Sequence, residues 1–401
     1  VHRVVITGLG PVSSIGIGVE DFCEAVRMGK SGISRITSFD VSGFERQMAG
    51  EVKDFDAGRL VTTVDTGEWG RTSLFAAAAA RLAADDAGIE EFGDDGAVVM
   101  GTTSGEIQHI VAMTESWHKG GPALPDRQLS AQLPTGRLAL AAAQEIGATG
   151  EAITFGTACA AGNYALGYAF DLVRSGEAAL AVAGGADSVS RFTHAAFHRL
   201  GALAKDACRP FDRDRDGMLT AEGGVALVLE SLERAQGRGA RIYAEVLGYA
   251  MTCDAHHPSA PETDSIVRCT RSALKRSGVT PDQVDYICAH GTGTRVNDQV
   301  ESEAIRRVYG GRVPPVSSLK SMLGHAMGAA SGFSAVACAL ALNRAFIPPT
   351  INHRATDPEL EGIDIVPDTA REASVRVVQS NAFGFGGNNA IVVLGSPPCA
   401  S

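Results

Sequence analysis

The chain has no C-x-x-C pair: its eight cysteines stand at 23, 159, 208, 253, 269, 288, 338 and 399 without framework spacing. That argues against a disulfide scaffold and a structural zinc site, and for a reducing compartment. Long apolar runs are missing as well, so nothing approaches the roughly 20 residues of a membrane span. A charged-then-apolar leader is absent ahead of the strand-like VHRVVITGLG, and the expected location is cytoplasmic. Basic residues are outnumbered, 35 Lys and Arg against 46 Asp and Glu, for a net charge of −11. This excludes a general nucleic-acid surface and requires any acidic partner to meet a local basic patch.

What is present is ordinary globular material, 45% hydrophobic and 20% charged over 401 residues, enough for a large core. Short apolar strand candidates (3–6, 97–100, 152–157, 178–183, 225–230, 242–247, 285–289, 375–379, 390–394) alternate with helical patterns (19–28, 73–87, 130–146, 162–174, 266–277, 300–309, 331–344). That order predicts an α/β protein with largely buried sheets. It also echoes itself. RLAADDAGIEEFGDDGAVVMGTTSG and SALKRSGVTPDQVDYICAHGTGT share one order of elements, and the strand and CAAG helix start at Cys159 return in PPVSSLKSMLGHAMGAASG. There a strand is expected to run through Lys320 and His325 into a small-residue helix. Two similar halves, 1–238 and 239–401, are expected to bring both elbows to one site.

Cys159 sits where a buried strand meets a helix that Gly176 ends. A thiol at a helix N-terminus faces free N–H groups and the positive end of the dipole, which favour thiolate; a small core cysteine is the competing reading. Three further pieces fall at element ends, on the sheet face where ligands bind. These are His290 in AHGTGT, with Thr292 and Thr294; Lys320 and His325 in SSLKSMLGHAMGAASG; and the glycine-rich NAFGFGGNN at 381–389, whose N–H groups suit an oxyanion. One thiol, two imidazoles and an ammonium suffice for acyl chemistry.

From VVITGLGPVSS through TACAAG, AHGTGT, LKSMLGHAMGAASG and NAFGFGGNN, nearly the whole chain resembles the elongating β-ketoacyl-acyl-carrier-protein synthases of the thiolase superfamily. The resemblance implies a duplicated thiolase-like five-layer α/β/α/β/α fold and a decarboxylative Claisen condensation. It implies Cys159 as acylated nucleophile, His290 and His325 as the pair assisting malonyl decarboxylation, Lys320 as the ammonium orienting His325, and Glu301 as a structural acid. The N–H groups of Cys159 and Phe385 would form the oxyanion hole. Phe385, flanked by Gly384 and Gly386, would gate the acyl-cysteine, and Asp254 and His257 would take part in gating. Thr292 and Thr294 would bond a phosphopantetheine arm arriving on an acyl carrier protein, with no resident cofactor and no metal. The family pairs through the strand after Ala178, as a homodimer or beside a chain-length-factor-like partner.

DRDRDG at 212–217 mimics a calcium loop but carries Gly223 where the closing glutamate belongs. Ahead of the helix near Arg71, VTTVDTGEWGR holds Asp65 and Glu68 where fatty-acid synthases keep carrier-docking bases. Asn297-Asp298 is closer to type II polyketide and polyene enzymes. The loop GTTSGEIQHI approaches the acyl tunnel in the family; Glu106 or Gln108 facing it would favour a polar or unsaturated chain, and either turned outward would meet an interface or solvent. A thiolase would need a second cysteine in NAFGFGGNN, a starter-unit synthase Cys-His-Asn, and a chain-length-factor-like partner would lack the nucleophile.

Overall fold

A computed structural model describes residues 1–121 and 127–398. The first half runs β1 (Val4–Ser13), α1 (Arg71–Ala87), β2 (Gly96–Gly101), α2 (Arg137–Ile146), β3 (Ala152–Phe155), α3 (Ala161–Ser175), β4 (Leu180–Asp187) and β5 (Gly223–Ser231). The second repeats it with β6 (Ala244–Cys253), α4 (Thr263–Ser277), β7 (Tyr286–Cys288), α5 (Arg295–Tyr309), β8 (Pro315–Ser317), α6 (Ala330–Arg344), β9 (Val377–Gly384) and β10 (Asn388–Gly395). Strand orders correspond too, β3-β2-β4-β5-β1 and β8-β7-β9-β10-β6. In each sheet the first three strands are parallel, and the fourth pairs antiparallel with both its neighbours. The sheets meet edge to edge where β1 pairs with β6, Val4 opposite Val246.

Helices α1 and α2 cover the outer face of one sheet, α4 and α5 that of the other, and α3 and α6 fill the space between. This is the duplicated α/β/α/β/α arrangement. Its interior follows from composition. β1 and β4 are buried at every position, so they read as continuous apolar runs rather than alternating ones. Residues Ala330–Ala341 of α6 are buried all round, as a helix between two sheets must be. Small residues let the central helices touch: a Cβ on Gly162 would lie 2.8 Å from the Gly332 nitrogen. No helix among the described residues is long and apolar enough to cross a membrane.

Four expectations are corrected. The helix over 130–146 is two, Arg127–Ala131 and α2, separated around Pro134, which cannot donate within a helix. The strand before the second elbow stops at Ser317; Lys320–Leu323 is one helical turn. The strand after Ala178 is β4, which is hydrogen-bonded to β2 on one side and β5 on the other, so it has no edge for a partner. The free edge of that sheet is β3. Glu106 does not turn outward, and the half-buried Gln108 is held by the backbone. Gln108 donates to the Val189 carbonyl at 2.7 Å, and Glu106, 3% exposed, accepts the N–H groups of Ser73 at 2.6 Å and Thr72 at 3.3 Å in the first turn of α1.

A helix N-terminus leaves its first N–H groups unpartnered, and a carboxylate there also meets the positive end of the dipole. Glu106→Leu is therefore expected to lower stability by about 1–3 kcal/mol, the cost of orphaned buried donors, and to leave acyl-chain preference unchanged. Thermal unfolding alongside acyl-carrier competition checks this; an unaltered midpoint with an altered preference would contradict it.

Candidate active site

The first elbow begins where β3 ends. A 3₁₀ turn at Ala158–Ala160 leads into α3, and Ala158 takes a left-handed φ of 51°, a conformation an alanine holds only when its surroundings impose it. Cys159 follows, buried. The second elbow repeats this: Met327, at φ 48°, opens a 3₁₀ turn at Met327–Ala329 ahead of α6. Gly328 thus stands where Cys159 stands in the first half.

Thiolate is not the resting form that the helix start alone suggested. Burial pushes the Cys159 thiol up to about 11, against the pull of the Lys320 charge and of the N–H groups of Cys159 and Phe385. Desolvation outweighs the helix end here. Those two N–H groups act on the sulfur, an arrangement that could also receive an oxyanion were the sulfur to attack a thioester.

His290 emerges from the end of β7. Its own N–H and that of Gly291 donate to the two carboxylate oxygens of Glu301, each at 2.8 Å, and Asn381 Nδ2 adds a third bond at 2.9 Å. Glu301 is buried and fixes the backbone rather than the ring. Lys320 Nζ donates to the His290 carbonyl at 2.5 Å; its hydrogen bond goes to His290, and it reaches His325 through charge. His325 Nδ1 accepts the Met327 N–H at 3.1 Å, which leaves the ring proton on Nε2. The two imidazoles lie 5.5 Å apart, edge to face. Burial first, then the Lys320 charge, hold both well below the usual histidine range, so both rings are neutral at pH 7.

A cleft joins these groups, lined by Cys159, His290, His325, Thr292, Thr294 and Phe385 among others. The Thr292 and Thr294 hydroxyls pair at 2.8 Å, and Asp298 accepts the N–H groups of Thr292 and Gly293 at 3.0 and 3.2 Å. Phe385, 42% exposed, lies against Phe197 with ring centres 5.7 Å apart. Gly384 ends β9 on the cleft wall, and Gly386 donates its N–H to the Pro258 carbonyl at 2.8 Å. Asp254 ties the same turn down through Asn389 Nδ2 at 2.6 Å. His257 Nδ1 accepts from the Ser259 and Ala260 N–H groups.

The DRDRDG loop serves as scaffold. Asp212 accepts the N–H groups of Asp214, Arg354 and Ala355, and buried Arg215 donates to Asp357 at 2.5 Å. Phe211 N–H reaches the second oxygen of Asp298 at 2.8 Å, so the loop buttresses the threonines. Arg71, the single base of VTTVDTGEWGR and the first residue of α1, is turned onto Glu222 at 2.6 Å. One site group escaped the sequence reading. Asp187, at the end of β4, is buried and accepts Thr102 Oγ1 at 2.9 Å, Thr103 N at 2.7 Å, Ser104 N at 3.0 Å and Gly328 N at 2.7 Å. Its only signal was an acid closing the otherwise apolar run LAVAGGAD.

Residues 1–235 match the beta-ketoacyl synthase N-terminal domain and residues 243–354 the beta-ketoacyl synthase C-terminal domain. The chain is 39% identical to a 3-oxoacyl-[acyl-carrier-protein] synthase 2 of Synechocystis sp., over 96% of both. A chain of the solved ishigamide ketosynthase/chain length factor is 50% identical with a TM-score of 0.97, over 99% of this chain and 100% of that one. A type II PKS acyl-carrier protein in complex with its ketosynthase, bound to the hexaketide, supplies another match at 32% identity and a TM-score of 0.91, over 99% of this chain and 100% of that one.

Proposed function

The chain belongs to the β-ketoacyl synthase family, a family of condensing enzymes, and from that premise we propose that Cys159 carries the growing acyl chain while His290 and His325 drive malonyl decarboxylation. The observation that carries this reading is the convergence of the three side chains on one cleft with Lys320 behind them. A carrier protein presents an acyl thioester through its phosphopantetheine arm, which runs past Thr292 and Thr294. The Cys159 sulfur attacks the carbonyl, and the N–H groups of Cys159 and Phe385 receive the oxyanion. The carrier's thiol leaves with the proton that Cys159 gives up. A malonyl thioester then takes its place. The neutral rings donate N–H bonds to its thioester oxygen, His325 through Nε2, as carbon dioxide departs and an enolate forms. That carbanion attacks the acyl-cysteine, forms the new carbon–carbon bond and releases the sulfur.

The polyketide or polyene setting is favoured over primary fatty acid synthesis by Asn297-Asp298 and by the likeness to the ishigamide ketosynthase/chain length factor. With Arg71 engaged by Glu222, carrier docking at the start of α1 has no free base there. The partner subunit, a second copy or a chain-length-factor-like protein, meets the free edge of β3, and the pair works in the cytoplasm. Intact-mass measurement after incubation with acyl-carrier thioesters tests the reading. One acyl group per chain, mapped to the Cys159 peptide, is the expected result; acylation elsewhere, or none with any thioester of a panel spanning saturated and polyene chains, would overturn it.

A further inference from the structure

Each half lends the end of a strand to the other half's elbow. β9, from the second half, packs on the Ala158–Ala160 turn and ends at Gly384, so that the next N–H, that of Phe385, acts on the Cys159 sulfur. β4, from the first half, packs in the same way on the Met327–Ala329 turn. Its last residue, Asp187, brings a carboxylate to the N–H of Gly328, the counterpart of Cys159. One end therefore serves a reacting sulfur, and the other grips a backbone.

That grip is tight and falls one residue from the N–H that meets the His325 ring. Three of the four donors come from the Thr102–Ser104 loop after β2, and the fourth from Gly328, in the opposite half. A Cβ on Gly328 would lie 2.6 Å from Thr102 Cα and 2.8 Å from Asp187 Oδ2, so the two segments are pressed together with no room for a side chain. Met327, held left-handed just before Gly328, spends its N–H on His325 Nδ1.

We propose that Asp187 is a positioning residue for decarboxylation, which fixes the Met327–Gly328 backbone and through the Met327 N–H holds the His325 ring with Nε2 toward the substrate. The inference rests on the ketosynthase reading above. Loss of the clamp frees Met327 to relax from its strained φ, and the ring loses the bond that sets its tautomer. Displacement of a reacting group by about 1 Å costs up to about 100-fold in rate. The carboxylate has a second effect, because it opposes ionisation of Cys159. The other groups facing that sulfur are Lys320, His325 and His290, with Asp254 and His257 at the cleft rim. Burial pushes Asp187 up to about 6 while its four donors pull it down, so it is an anion at pH 8.

The test is Asp187→Asn, which puts an amide N–H₂ where a carboxylate oxygen accepts two donors. Malonyl decarboxylation at pH 8 is expected to fall about 10- to 100-fold, with acyl loading of Cys159 reduced much less. The pH midpoint of Cys159 alkylation by iodoacetamide is expected to move down by about one unit, the scale of a removed neighbouring charge. A purely structural residue would lower stability and slow acyl loading and decarboxylation alike. Decarboxylation within twofold of the parent and an unmoved midpoint would overturn the proposal. Thr102→Val, which removes one of the four bonds and leaves the charge, covers the case in which Asp187→Asn fails to fold. It is expected to slow decarboxylation several-fold without moving the midpoint, and a parental rate would overturn the clamp. The parent protein is assayed first: a parent that decarboxylates no malonyl thioester would refute the ketosynthase reading itself, whereas an active parent matched by its variants refutes only the clamp.

Discussion

Cys159→Ala is expected to abolish acyl uptake, leaving a folded protein whose mass does not change on incubation with any acyl-carrier thioester that loads the parent. The Cys159 thiol lines the cleft with His290 and His325, and the N–H groups of Cys159 and Phe385 both act on it. Alanine keeps the backbone that those N–H groups belong to. Truncating a single buried atom costs about 1 kcal/mol, small against the stability of a domain this size. Because the two imidazoles stand on other elements, the variant is expected to retain malonyl decarboxylation. Acyl mass at parental stoichiometry would show that another group is the nucleophile.

Replacement of His290 or His325 by alanine is expected to slow malonyl decarboxylation by about 10²- to 10⁴-fold, the range for a positioned acid–base group, with a smaller loss in acylation. The distinction follows from geometry. His325 presents Nε2–H because Met327 occupies Nδ1, and a ring that donates to a developing enolate contributes little to thioester exchange at sulfur. Both rings have pKa values depressed by burial and by Lys320. A histidine with a lowered pKa is neutral above that value, so the parent's decarboxylation rate is expected to hold as pH falls from 8 to 6.5. Equal losses in both half-reactions would mean that the rings act on the cysteine; a rate lost on acidification with a midpoint at 6.5 or above would mean that the rings are not held below the usual histidine range, and a rate that rises as pH falls would mean that the imidazolium is the working form.

Much of this was legible in sequence because buried parallel strands are written as unbroken apolar runs. LAVAGGAD could be little else, and the repeated order of elements returns in the two corresponding strand orders; the strand before TACAAG was expected to be buried, but as the sheet's edge strand it is exposed or half-exposed along its length. What depends on contact across the halves was not legible. The Lys320 ammonium is one turn from His325 in sequence, yet its hydrogen bond goes to a carbonyl on β7's far end, a contact only the assembled sheet creates. Glu106 in a polar loop looked like a tunnel or surface group; only the packing of that loop over α1 turns it into a cap. The strand after Ala178 became an inner strand once β2 and β5 were placed beside it. Cys159 illustrates two physical effects of opposite sign: the helix start is readable and favours thiolate, while the depth of burial that opposes it is not.

The most direct measurement is a single turnover on protein already acylated at Cys159, with a malonyl carrier labelled at its free carboxyl. Acyl mass is expected to leave Cys159 at the rate at which labelled carbon dioxide appears, with the carrier left holding the acyl group extended by the two remaining malonyl carbons as a β-ketoacyl thioester. Release of carbon dioxide with the acyl group still on Cys159 and only an acetyl carrier formed, or loss of the acyl group as free acid, would contradict the account.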